Sequence, residues 1–128
     1  MKRGCCFMNP ETQKLLRDAL NATEEIQRYT SGITWQEFVA DTMRQNATNY
    51  MFAVLGEALS KLRQISRQHA LALSDIQLAI DMRNRLIHGY SSVDAGIVWA
   101  TARQDIPNLC DELNAILEVG ESPEAIGG

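Results

Sequence analysis

The chain has 128 residues, of which 45% are hydrophobic, 22% charged and 6% aromatic, with a formal net charge of −4. That length implies one domain with a core that needs neither disulfides nor a structural metal. The acidic balance argues against non-specific nucleic-acid binding, and no apolar run approaches the ~18 residues that a membrane span requires.

Met1-Lys2-Arg3-Gly4-Cys5-Cys6-Phe7 has a charged start but no apolar segment or cleavage site, so it does not read as a signal peptide. The first helix signal comes at Asn9, which makes Met8 a candidate initiator. Residues 1–8 therefore read as a disordered or non-native extension, 9–119 as the domain and 120–128 as a disordered tail. Cys5, Cys6 and Cys110 are odd in number and badly spaced for a disulfide framework or a zinc site, which points to a reducing cytoplasm.

Asn9-Pro10-Glu11 combines a capping amide, a proline at the first turn and an acid near the positive end of the helix dipole. Leu15, Ala19, Ala22, Ile26 and Tyr29 then form one apolar stripe, and Ser31-Gly32 ends the helix. Thr34-Trp35-Gln36-Glu37 is a capping box that starts a short second helix carrying Trp35, Phe38 and Val39. Asp41-Thr42 caps a third, expected to run to about Gln68 with Met43, Ala47, Met51, Val54, Leu55, Ala58, Leu62 and Ile65 on its apolar side. A glycine inside it, Gly56, costs about 1 kcal/mol relative to alanine. Close approach of another helix would account for it.

His69-Ala70-Leu71-Ala72-Leu73 reads as a connection, with His69 exposed in a loop. Ser74-Asp75-Ile76-Gln77 is a second capping box, and Ile76, Ala79, Ile80, Met82, Leu86 and Ile87 give the core side of the fourth helix. Gly89 should stop it at about His88. After a turn at Ser91-Ser92-Val93-Asp94, Asp94 caps the last helix, which Pro107 must kink or divide. With no strand signal or repeat, the pattern predicts an all-α, up-and-down bundle of four to five helices.

The chemistry concentrates in Arg83-Asn84-Arg85-Leu86-Ile87-His88-Gly89-Tyr90. Residues 61–90 carry five basic and two acidic residues, a net of +3 against −7 for the rest, so a local polyanion site is compatible with an acidic chain. An obligate cation beside an imidazole, the side chain whose ordinary titration falls near neutrality, suits phosphoryl chemistry. The same run is good C-terminal capping in any helix, and spacing alone does not separate the two readings. Asn84 and His88, four apart, share a helix face. Arg83 and His88, five apart, diverge by roughly 140° on a continuous helix. They meet only if the helix end relaxes or a second copy supplies one of them. A Gly-rich phosphate loop is absent, and Ser91 and Ser92 lack the context of a serine nucleophile. Glu57 has no partner that the sequence can name.

This run resembles the Arg-x4-His-x-Tyr motif of HEPN-domain proteins, specifically the HepT-like toxins. The resemblance extends from Leu15 to Leu117 through Leu55-Gly56-Glu57-Ala58, Val93-Asp94, Val98-Trp99 and Ile106-Pro107-Asn108-Leu109. It implies a homodimer with a composite cleft and a metal-independent endoribonuclease that uses no cofactor. His88 would be the general acid or base and Arg83 the stabiliser of phosphate charge, with Asn84 orienting either. Arg85 would support, by binding RNA or facing a partner. The resemblance further implies an antitoxin, a minimal nucleotidyltransferase of the MNT type, that silences the toxin by transferring AMP to Tyr90. An alternative within the family is a non-catalytic HEPN partner or substrate-binding subunit of the nucleotidyltransferase that does not cut RNA.

Overall fold

The computed structural model describes residues 8–89 and 93–121. Cys5, Cys6, most of the expected N-terminal extension, the Ser91-Ser92 turn, Tyr90 and the tail beyond 121 lie outside the described residues. Those described form seven helices and no strand: α1 (Pro10–Thr30), α2 (Trp35–Ala40), α3 (Thr42–Ile65), α4 (Arg67–Leu71), α5 (Ile76–His88), α6 (Ala95–Gln104) and α7 (Ile106–Glu121). The expected all-α bundle is what forms, with α2 and α4 as short turns between the long members. None of the described helices is long and apolar enough to cross a membrane.

Local chemistry sets most of the boundaries. Asn9 Oδ1 accepts from the backbone N–H groups of Glu11 at 2.7 Å and Thr12 at 3.4 Å, with Pro10 opening α1. Past its end, Gly32 adopts φ +76°, a left-handed conformation that a side chain would strain. The reciprocal box between Thr34 and Glu37 starts α2, and Asp41 caps α3 through the Arg44 N–H at 2.9 Å. Asp94 caps α6 through the Gly96 N–H at 2.7 Å. Pro107 divides rather than kinks the last helical stretch: α6 stops at Gln104, and the proline sits in the first turn of α7, where no N–H is needed.

α3 lies at the centre, packed against α1 on one side and α5 on the other, while α7 closes over α1. The core gathers Leu16, Ala19 and Ile26 of α1, Phe52, Leu55, Leu59 and Leu62 of α3, Ala79 and Ile80 of α5, and Leu109 and Leu113 of α7.

Several expectations need correction. The buried stripe of α3 runs through Thr48, Phe52, Leu55, Leu59 and Leu62. Of the residues assigned to it from sequence, Met43 is 83% exposed and Ile65 also faces solvent. Apolar residues occupy both faces of this helix, so periodicity does not fix its phase. α3 ends at Ile65 rather than near Gln68, and the expected connection contains the α4 turn. His69 is partly buried there, its Nδ1 paired with Ser66 Oγ. No capping box forms at the start of α5. The Ser74 N–H and hydroxyl both donate to the Glu112 carboxylate of α7, at 3.1 and 2.8 Å, and Asp75 becomes the cap residue without a side-chain bond. Ile87, expected in the core, is 50% exposed.

Candidate functional site

The site is assembled where α5 crosses α3. Gly56 is buried in α3, and a Cβ built on it would collide with Arg83 Cβ and lie 3.0 Å from the Ala79 carbonyl oxygen. The missing side chain lets the two helices approach closely at this point, as the mid-helix glycine suggested. Arg83 is thereby pressed onto α3, its side chain 24% exposed. Its Nη2 donates to Glu57 Oε1 at 2.6 Å and its Nη1 to Asn84 Oδ1 at 2.9 Å. Its Nε is buried without a hydrogen-bond partner. The other Glu57 oxygen lies 3.5 Å from Lys61 Nζ, so a carboxylate is bracketed by two cations.

His88 is the last residue of α5 and is exposed. The helix does not loosen on the way to it: the Gly89 N–H bonds to the Arg85 carbonyl at 2.8 Å. Gly89 has φ −141°, so it ends the helix without entering the left-handed region. Arg83 and His88 therefore keep the divergence of roughly 140°, with about 7.5 Å of rise between them. Within one chain the two side chains thus leave the helix in different directions.

Asn84 is exposed on the His88 face and already holds the Arg83 guanidinium. Arg85 points elsewhere, lining a groove of about 350 Å³ between α5 and α6 with Asp81, Met82, Ile97 and Thr101. A second groove, of about 400 Å³, lies beside Glu57. Leu15, Val54, Ala58 and Ile87 are among its apolar lining, and its charged lining pairs Lys14 with Asp18 and Lys61 with Glu57. Among the described residues no group of three or more His, Cys, Asp or Glu side chains is placed to hold a metal ion. Tyr90 lies outside the described residues.

The sequence singled out Glu57 but could not name its partner, Arg83. Its partner is 26 positions away, beyond any periodicity argument. The signal that could have found it is its neighbour: a glycine that admits a crossing helix puts the next acidic residue within reach of whatever cation that helix carries.

A family model described as Ribonuclease HepT-like matches residues 19–116, a span that contains Glu57, Arg83, Asn84, Arg85 and His88. The chain is similar to a protein of Methanocaldococcus jannaschii named "Putative RNase", with 30% identity over 108 residues, 84% of this chain and 92% of the relative. A second protein of that organism, of the same name, shows 30% identity over 84% of this chain and 88% of its own length. A Thermococcus cleftensis protein named "Probable ribonuclease HepT" is 31% identical over 94 residues, 73% of this chain and 84% of the relative. No solved structure gives a significant match.

Proposed function

Because the chain belongs to the ribonuclease HepT-like family, we propose that it is a metal-independent RNA endonuclease whose active site is completed by a second copy of itself. The observation that supports this most directly is α5 remaining helical through His88. One protomer offers an anchored cation and, on a diverging face, an exposed imidazole. Two protomers facing each other would bring the Arg83 of one to the His88 of the other. Ile87, half exposed beside an apolar groove, supplies surface for that contact.

In the proposed reaction one His88 takes the proton from a ribose 2′-OH. The oxygen attacks the adjacent phosphorus, and the bond from phosphorus to the 5′-oxygen breaks. Water protonates the leaving oxygen, and His88 releases its own proton to the solvent. The products are a 2′,3′-cyclic phosphate and a 5′-OH. Arg83 stabilises charge on the pentavalent phosphate. The need for a 2′-OH restricts cleavage to RNA. Purified protein should cut RNA in the presence of a chelator, and Arg83→Ala or His88→Ala should each lower the rate at least about 10²-fold with the fold intact. Unchanged cleavage in both variants would sink the assignment. No cleavage by the wild-type chain would leave the non-catalytic, nucleotidyltransferase-docking role.

The same reading makes the chain the toxin of a type VII-like toxin–antitoxin pair in the cytoplasm, with Tyr90 as the control point. AMP added by an MNT-type nucleotidyltransferase two residues from His88 would bring negative charge and bulk against the RNA. Co-expression with such an enzyme should add mass to Tyr90 in multiples of AMP and silence cleavage. Modification at another residue, or silencing without modification, would refute this part.

A further inference from the structure

We infer that Glu57 is a positioning residue for Arg83, an inference that rests on the proposed ribonuclease reading. An arginine has five N–H donors. Two of those of Arg83 are spent on Glu57 Oε1 and Asn84 Oδ1, and the Nε–H is buried. One hydrogen on each terminal nitrogen remains, which is the number needed to grip two phosphate oxygens. The two acceptors come from different helices, α3 and α5, so together they fix the guanidinium plane rather than only its location. Gly56 fixes the base of the side chain by admitting Arg83 Cβ against the α3 backbone. The arginine is thus held at its root and at its tip by consecutive residues of α3.

Two further observations separate positioning from two other roles. Glu57 is 46% exposed, and an ion pair of that exposure contributes little to stability. Its main effect is therefore on geometry. Nor does it cancel the charge that a phosphate would meet. Lys61 Nζ, at 3.5 Å, balances the carboxylate and leaves the Arg83–Glu57–Lys61 group with a net positive charge.

The test compares wild type, Glu57→Ala and Glu57→Gln on an RNA oligonucleotide without metal. Glu57→Ala should lower kcat about 10–100-fold, the range seen when a supporting hydrogen bond to a functional group is removed, with KM changed less than about twofold. Glu57→Gln keeps an acceptor for Nη2 and should recover most of the loss. Melting temperatures should stay together. Nitrogen-15 NMR gives a readout independent of turnover: the Arg83 guanidinium should rotate slowly in wild type and freely in Glu57→Ala. Wild-type protein that leaves RNA uncut overturns the ribonuclease reading. Free rotation already in wild type, or Glu57→Ala as active as wild type or more so, overturns the role of Glu57 alone.

Discussion

Gly56 and Arg83 meet at a single crossing, and substitution at either position tests the packing there. Alanine at 56 would gain about 1 kcal/mol of helix propensity. The added methyl would collide with Arg83 Cβ, an atom fixed to the α5 backbone that cannot swing aside, and would press on the Ala79 carbonyl. Overpacking of that kind costs about 1–3 kcal/mol. Gly56→Ala should therefore lower the urea midpoint despite its better propensity and displace Arg83 enough to slow cleavage. A more stable variant with full activity would show that the crossing is loose. At this scale the sequence was legible in part. Gly56 advertised the close approach and Arg83 advertised the chemistry, but the Arg83–Glu57 bond joins residues that no local pattern connects.

At the scale of the element, boundaries were the legible part because caps are local. Asn9, Thr34, Asp41 and Asp94 all cap as their types and positions predict. What stayed hidden was which side chains serve another element. Ser74 leaves its own helix for Glu112 of α7. The Arg44 and Arg103 guanidinium groups donate to the carbonyls of Tyr29 and Thr30, each at 2.9 Å, satisfying the C-terminal end of α1 from across the fold. The phase of α3 was hidden as well, since a helix packed on two sides and apolar elsewhere has no single stripe.

Asp41 offers an acid-sensitive test of one cap. The bond from the Arg44 N–H, reinforced by the Arg44 guanidinium, holds its carboxyl below the usual 3.8. The folded state thus binds this proton less readily than the unfolded chain. The stabilisation is complete above about pH 4 and is lost as pH falls through the lowered folded value. Asp41→Asn keeps an oxygen for the cap but loses the charge. Its melting temperature should lie below that of wild type at neutral pH, with the gap narrowing below about pH 4. A gap that stays constant on acidification would mean that the charge contributes nothing.

For the whole molecule, the family reading and the helix geometry both support the proposed two-copy arrangement. A chain that is acidic overall has one window, residues 61–90, with a net positive charge; in it Arg83 is anchored to Glu57 of α3 while His88 is exposed at the end of α5. The all-helical bundle was legible because its periodicities are helical throughout. The proposed pairing of Arg83 and His88 came from the helix spacing together with the family resemblance, because one chain alone holds no surface of a second copy. Divergence of roughly 140° is a fact about one helix, and because the helix holds its form to His88 it supports the proposed assembly.

The most direct measurement is subunit mixing. Arg83→Ala and His88→Ala proteins, each inactive alone, are combined under conditions that exchange subunits, with exchange followed by mass spectrometry. In a mixed dimer one of the two composite sites regains an intact Arg83 from one chain and an intact His88 from the other. Random reassortment makes half of the dimers mixed, so cleavage should return to about a quarter of the wild-type rate. Full exchange with no return of cleavage would contradict a site shared between two copies.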